Sequence, residues 1–250
     1  MLSAQDYQVA AFFGLVAAFE VLERVRPARE IDRWKDLKID VFSFALAIMM
    51  NRVSHFTVTG FVNACAPSWV LGYLHWLQTL PGAVKIGVAI LMVDFIIYWI
   101  HRAQHRFDLM WRTHAWHHSI EQLYWFSGFR TSFFHSFLYA IPAASVPMLV
   151  FNLSPIEAGI GYSIGLLIQF WEHTNLNVNI GPLRWIIITP VYHRVHHSTA
   201  HSRSNYGTTF SFWDRMFGTY TDPETVPADA PLGLGEPISR KDIPRMLLGV

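Results

Sequence analysis

Long apolar runs restrict the fold of this chain more than any other feature of its sequence. They cover residues 7–22, 41–62, 82–100, 133–152 and 155–171. A helix that crosses a bilayer needs about 20 predominantly apolar residues. Only 15% of the residues are charged, against roughly 25% in soluble domains, so the chain has more apolar surface than a soluble fold would bury. The sequence therefore predicts an all-α integral membrane protein with about four to five membrane helices.

The ends of the runs indicate how they are connected. The segment Met1 to Asp6 has no basic residue, whereas a secretory signal peptide begins with a positively charged region. We therefore interpret the run 7–22 as a retained anchor. Asn152 and Pro155 stand between the last two runs, and both residue types favour turns. We expect residues 133–171 to form a membrane hairpin.

The distribution of basic residues predicts the orientation in the membrane. Lysine and arginine are absent from residues 53–84 and 131–183 and are concentrated in the other loops, most strongly in 23–40. Because basic loops stay in the cytosol, the N-terminus is expected outside and the C-terminal third in the cytosol. The histidine clusters described below then form a helical cap on the cytosolic face.

Charge and cysteine content exclude several classes of protein. The chain has 19 basic and 18 acidic residues and a net charge of +1, so it lacks the basic excess typical of nucleic-acid-binding domains. Cys65 is the single cysteine. A disulfide framework within the chain and a cysteine-rich metal centre are therefore excluded.

The distribution of histidine indicates where a functional site lies. Eleven of the 13 histidines lie from His101 to His201. Eight of them form one HxxxH and two HxxHH motifs: His101 and His105; His114, His117 and His118; His193, His196 and His197. Residues three or four apart share a helix face, and adjacent residues are about 100° apart around the axis. Adjacent histidines can therefore reach different metals, and eight imidazoles exceed what one tetrahedral zinc needs. The motifs predict two metal ions in a shared histidine-rich cage.

The spacing of the histidines does not choose the metal, because such cages suit iron as well as zinc. A membrane zinc hydrolase of a lipid amide or ester is one alternative, although no carboxylate base lies within the motifs. A non-enzymatic metal or haem carrier is another, although such a protein is expected to place its ligands inside the membrane spans.

The residues around the histidines resemble the fatty acid hydroxylase superfamily, integral-membrane non-haem di-iron proteins that include sterol desaturases. The resemblance covers about residues 94–219. It is carried by Asp94-x3-Tyr98-Trp99-x-His101-Arg102-x2-His105, Trp111-x2-His114-x2-His117-His118-Ser119, Arg130, His173-Thr174-Asn175, His193-Arg194-Val195-His196-His197-Ser198, Asn205-Tyr206-Gly207 and Trp213-Asp214-Arg215-x-Phe217-Gly218-Thr219.

The resemblance implies an oxidoreductase that uses two iron ions and O2 to hydroxylate, or to desaturate, a C–H bond of a lipid such as a fatty acyl chain or a sterol. It implies that the eight motif histidines and His173 are the metal ligands. It also implies an external electron donor, which is a reductase, a ferredoxin or a cytochrome. The chain is then divided into an N-terminal membrane-anchor region (1–93), a catalytic domain (94–219) and a C-terminal tail (220–250).

Other polar residues receive supporting roles. Some relatives have a histidine four residues after the His173 position, where this chain has Asn177, so an amide or water is expected there. Asp94 is expected to orient an imidazole or to pair with an arginine, and His201 to lie near the metals. His135 is interpreted as a polar cap or a channel-lining residue, and His55 and His75 as structural. Residues 205–207 are expected to form a turn and 213–219 a cap over the cluster.

Overall fold

The computed structural model describes residues 4–65, 74–236, 238–239 and 241–250, without the side chains of residues 4–9 and 11. The extreme N-terminus, expected outside the cell, falls partly beyond this range. The regular secondary structure of the described residues is helical. Isolated bridges between Ile187 and Phe210 and between Ser198 and Leu232 are their only β-type pairing. The helices are α1 Ala4–Val25, α2 Arg33–Cys65, α3 Gly82–Arg106, α4 Asp108–His118, α5 Phe133–Ser145, α6 Pro155–His173, α7 Pro190–His196, α8 Phe212–Phe217 and α9 Ile243–Leu248.

Three helical segments in the described part are long and apolar enough to cross a membrane: Arg33–Cys65, Gly82–Arg106 and Phe133–Val150. The third consists of α5 and the π-helical turn Val146–Val150 that continues it. The predicted runs 7–22 and 155–171 form α1 and α6. The predicted class, an all-α integral membrane protein, is confirmed.

The two helices of the predicted hairpin, α5 and α6, each pack against other helices. Both α5 and α6 contact α3, α2 packs along α5, and α1 and α7 pack on α6. Ala140 and Ala144 of α5 contact Val58 and Val62 of α2, and such small residues allow two membrane helices to approach closely. This arrangement brings the C-terminal ends of α3 and α6 together beside α4 and α7.

The start of α6 shows why this segment is a helix. Ser154 Oγ accepts a hydrogen bond from the Glu157 backbone N–H at 3.3 Å, and Glu157 Oε2 accepts one from the Ser154 N–H at 2.8 Å. This reciprocal capping satisfies two free donors at the helix start, and Pro155 suits the first position of the helix. Lys85 also pairs with Glu157 at 3.2 Å, which joins α6 to α3.

Candidate metal centre

Nine buried histidines form two adjacent groups, and within each group the candidate donor atoms lie within 4.8 Å of one another. We define cage A as His101, His105, His114, His118 and His196, and cage B as His117, His173, His193 and His197. The structure thus brings together all nine histidines that the sequence and the resemblance nominated. Cage B contains His173 at the C-terminal end of α6.

Helix geometry divides each HxxHH motif between the two cages. In α4, His114 and His118 are one turn apart and belong to cage A, whereas His117 belongs to cage B. The second motif does the reverse, because His193 and His197 belong to cage B and His196 to cage A. A rotation of about 100° per residue separates the adjacent side chains.

The spacing of the donor nitrogens fits a metal ion. The Nε2–Nε2 distances are 2.9 Å for His101–His114, 3.0 Å for His118–His196, 3.2 Å for His117–His173, 3.1 Å for His173–His193 and 3.0 Å for His193–His197. Two nitrogens about 2.1 Å from one ion lie about 3.0 Å apart at a right angle and about 3.4 Å apart at the tetrahedral angle. The observed distances therefore lie in the range that two imidazole ligands of one metal ion span.

Backbone carbonyl groups orient several of the imidazoles from behind. Four histidines place Nδ1 at hydrogen-bond distance from a carbonyl oxygen: His101 with Tyr206 at 2.8 Å, His117 with Arg130 at 3.1 Å, His173 with Gln169 at 2.7 Å and His196 with Ser204 at 2.7 Å. A carbonyl oxygen can only accept, so Nδ1 carries the proton and Nε2 presents its lone pair to the cage.

The protonation state of the cages also suits ligation. Burial lowers the pKa of His118 well below its ordinary value, and the charge of the neighbouring His197 adds to this effect. Burial has the same effect on the pKa of His114, His117, His193, His196 and His197. These imidazoles are therefore neutral near pH 7, as metal binding requires. The buried Nε2 of His105 has no hydrogen-bond partner in the described part, and a metal ion would satisfy it.

Glu172 is a candidate site residue that the sequence reasoning missed. Its side chain is buried, Oε1 lies 3.6 Å from His173 Nδ1, and Oε2 lies 3.5 Å from His193 Nδ1. The carboxylate therefore lies behind two cage B ligands. The Nδ1 of His173 is already paired with the Gln169 carbonyl, whereas the Nδ1 of His193 has no hydrogen-bond partner among the described residues, so His193 is the ring that Glu172 is placed to orient. The available signal was an acidic residue at the end of an apolar run, directly before His173.

Asp94 does not have either of the partners that were expected for it. Its carboxylate accepts hydrogen bonds from Thr208 Oγ1 at 2.8 Å, Trp213 Nε1 at 2.9 Å and the Phe210 backbone N–H at 3.2 Å. Among the described residues, no imidazole or guanidinium contacts it. Asp94 instead joins α3 to the segment 208–213 through these three hydrogen bonds.

His201 belongs to neither cage, and Asn177 lies in the chain that follows α6. The resemblance nominated Asn177 because some relatives have a histidine four residues after the His173 position, but α6 ends at His173 and Thr174 is extended, with ψ 143°. The residue four positions on is therefore not one helical turn away, and Asn177 is exposed. The backbone N–H of His201 donates to the Ser198 carbonyl at 3.2 Å, in the turn after α7, and its ring is half-buried.

His135 lies close to cage A without belonging to it. Its Nδ1 is 3.0 Å from His114 Nδ1 and 3.3 Å from Gln104 Nε2. The ring is buried and stacks on Tyr139 with 4.1 Å between centroids. His135 therefore supports the outer nitrogen of a cage A ligand. His55 and His75 are exposed and belong to neither cage.

The segment after α7 folds back over cage A. Tyr206 packs on the rings of His101, His105 and His196, with centroids 5.4–5.8 Å apart. Asp214 accepts hydrogen bonds from the backbone N–H groups of Tyr206 and Gly207 at 2.9 and 2.8 Å. A Cβ at position 207 would lie 2.4 Å from the Phe210 carbonyl oxygen, so glycine is required there.

Arg130 connects the centre to α2. Its carbonyl contacts His117, and its guanidinium donates to Asp40 of α2 at 2.5 Å. Tyr124 donates to the other oxygen of Asp40 at 2.6 Å. All three side chains are largely buried, so this network holds the position of a cage B ligand relative to a membrane helix.

The fold and these two cages define a class: all-α integral membrane proteins that have a histidine-rich centre where several helices end. The chain belongs to the fatty acid hydroxylase family, whose model matches residues 86–219, just over half of the chain. This match confirms the resemblance that the motifs indicated.

Several curated relatives carry names of lipid-modifying enzymes. The chain is 41% identical to alkylglycerol monooxygenase of Xenopus tropicalis over 133 residues, which is 51% of this chain and 28% of the relative. It is 34% identical to alkylglycerol monooxygenase of Danio rerio over 197 residues, 76% of this chain and 42% of the relative. It is 30% identical to an ornithine lipid hydroxylase of Rhizobium tropici over 181 residues, 66% of this chain and 54% of the relative.

The chain therefore matches about half or less of the length of these relatives. No solved structure gives a significant match.

Proposed function

We propose that this protein is an O2-dependent, membrane-bound di-iron oxygenase that hydroxylates, or desaturates, a C–H bond of a lipid. The observation that carries the proposal is the pair of buried cages, in which nine imidazoles converge on two adjacent points. Relatives named as a monooxygenase and a lipid hydroxylase support the reaction class.

Each part of the centre has a separate task. The Nε2 atoms of the cages would hold two iron ions, and backbone carbonyls and Glu172 would keep the rings in their orientation. Two irons supply redox chemistry that zinc lacks. The burial of the nine rings excludes bulk water from the ligands.

Hydroxylation requires an electron donor as a partner. Insertion of one oxygen atom into a C–H bond while the other becomes water consumes O2, two electrons and two protons. No motif in the sequence resembles a flavin, haem or iron–sulfur domain. A separate reductase, ferredoxin or cytochrome is therefore part of the proposal, together with a lipid that enters from the bilayer.

The proposal places the cages on the cytosolic face. The test uses a Cys65→Ser background, because Cys65 is exposed, with single cysteines at the exposed positions Arg112, Ser239 and Thr79. A membrane-impermeant thiol reagent added outside intact cells is expected to label Thr79→Cys but not the other two until the cells are lysed. Labelling of Arg112→Cys in intact cells would contradict the cytosolic placement.

The activity test follows the oxygen atom. Cells with the protein, and cells with a His196→Ala variant, are grown under 18O2, and their lipids are compared by mass spectrometry. The expected result is a lipid that carries one heavy oxygen and forms only with the unaltered protein. Metal analysis of the purified protein should show iron at about two ions per chain. Zinc alone, together with release of a lipid acid or amine and no oxygen incorporation, would support the hydrolase instead.

A further inference from the structure

A cavity of about 480 Å³ lies on the opposite side of α7 from the cages. It is bordered by the loop that follows α1, by the chain after α6, and by the segment 220–230. His193 of α7 belongs to cage B, whereas the next residue, Arg194, lines the cavity. The cavity is therefore separate from the metal centre.

Arginine dominates the charge of this cavity. Arg29, Arg184, Arg194 and Arg215 line it, with Asp222 and Glu224 as the acidic lining residues. Glu224 is paired with Arg184 at 2.6 Å, and Asp222 caps a short turn by accepting from the Glu224 backbone N–H at 3.0 Å. Two arginine charges thus exceed the acidic charge of the lining.

Arg194 is the most buried of these cations, with 7% of its surface exposed. Its Nη2 donates to the carbonyl oxygens of Leu176 at 3.1 Å and Thr174 at 3.4 Å, but its buried Nε has no partner. Carbonyl groups carry no net charge, so these contacts do not neutralise it. The nearby carboxylate of Glu23 is held by Arg33 at 2.8 Å.

Arg29 is a second cation close to Arg194. Its Nη1 donates to the Ala230 carbonyl at 2.9 Å, and its Nε is buried without a partner. Burial, and then the charge of Arg29, lowers the pKa of Arg194 to about 10. Arg194 is buried and Arg29 is half-buried, with the charge of Asp229 acting on Arg29. Two neighbouring cations, one of them buried, are costly unless an anion joins them. The guanidinium group matches the oxygens of a phosphate in a bidentate contact.

The surface beside the cavity is apolar and has residue types that are common at the membrane–water interface. Leu183, Trp185 and Ile186 are 55%, 56% and 48% exposed, and they flank Arg184 of the cavity lining. The guanidinium of Arg215 lies 4.4 Å from the Trp185 ring. An exposed tryptophan among aliphatic side chains is typical of the membrane–water interface.

We propose that this cavity binds the phosphate group of an anionic lipid headgroup at the membrane–water interface. Arg29 and Arg194 bind the phosphate, while residues 183–186 contact the adjoining lipid surface. Because α7 separates this site from the cages, the bound lipid is an anchor for α7 and not the molecule that is oxidised.

The test measures binding by the purified full-length protein in neutral detergent. The probes are dihexanoyl phosphatidylglycerol, dihexanoylglycerol, which lacks the phosphate, and inorganic phosphate, and the readout is isothermal titration calorimetry. Phosphatidylglycerol is expected to bind at least about tenfold more tightly than either of the other probes. Equal binding of dihexanoylglycerol would show that the phosphate is not recognised. Equal binding of inorganic phosphate would show a site for a soluble anion. Either result would overturn the proposal.

The variants separate this site from general surface charge. Arg194→Gln and Arg29→Gln are each expected to weaken phosphatidylglycerol binding by about tenfold, the usual effect of losing a charge-assisted hydrogen bond. Arg184→Gln is the matched control, because Arg184 lines the same cavity but is already paired with Glu224, and it should change affinity by less than about twofold. An effect of Arg184→Gln as large as that of the other two would overturn the proposal. If Arg194→Gln does not fold, the result for Arg29→Gln decides.

Discussion

His196 and His197 are adjacent in the chain, yet their imidazoles belong to different cages, with ring planes 86° apart. His118 and His117 show the same division in α4. One helical turn therefore supplies ligands to both candidate metal positions. A small rotation of α7 would disturb both cages at once.

This division predicts two different partial losses of metal. His196→Ala should deplete cage A and His197→Ala cage B, each reducing bound iron from about two ions to about one and abolishing oxygenation, because each removes a ligand from a single cage. Metal analysis and iron spectroscopy measure the outcome, and the two variants should leave different residual spectra. His55→Ala is the control, because His55 is exposed and belongs to neither cage, and this variant should keep both ions. Identical residual spectra would show that the cages are not independent sites.

Glu172→Gln should weaken metal binding while leaving all nine ligands in place. Removing a carboxylate behind metal-binding histidines typically costs about 10–100-fold in metal affinity or activity, and Glu172 lies within 3.6 Å of two Nδ1 atoms. Chelator competition measures the affinity. Glu121→Gln is the control, because Glu121 is exposed and pairs with Lys35. Unchanged iron retention in Glu172→Gln would remove this residue from the centre.

Metal-free protein should lose stability as the pH falls below about 6.5. Burial holds the pKa of His114, His118 and His197 well below this ordinary value, so the unfolded chain binds protons that the folded chain does not. The free energy of unfolding then decreases by up to about 1.4 kcal/mol per pH unit for each such histidine, until the folded pKa is reached. Thermal unfolding in detergent between pH 8 and pH 5 tests this. A melting temperature that rises on acidification would contradict it.

Asp94→Asn should destabilise the protein without removing metal. The substitution weakens the acceptor for Thr208, Phe210 and Trp213, and hydrogen bonds to charged groups contribute about 1.5–3 kcal/mol each. The expected result is a lower melting temperature with about two bound ions at saturating iron. Asp108→Asn, at an exposed position of α4, is the control. Loss of iron at an unchanged melting temperature would instead assign Asp94 to the orientation of an imidazole.

Local patterns in the sequence determined the class of fold and eight of the nine candidate ligands. Run length and apolarity depend on neighbouring residues alone, and so does the angle between successive side chains on a helix. The division of HxxHH between two positions could therefore be anticipated before the fold was known. His173 needed the family resemblance, because it stands alone between the second and third histidine motifs.

Only the tertiary structure decided which residues stand behind the ligands. Trp213 meets Asp94 across 119 positions of the chain, and Tyr206 offers its carbonyl to His101 across 105. No local spacing encodes such pairs, since they depend on the path of the chain between helices. The same reason explains Asn177, which the family resemblance nominated: α6 ends at His173, and the extended residue after it turns the chain away from the cages. The position of Glu172 also depends on the tertiary structure, because the packing of α6 and α7 places two imidazoles beside its carboxylate.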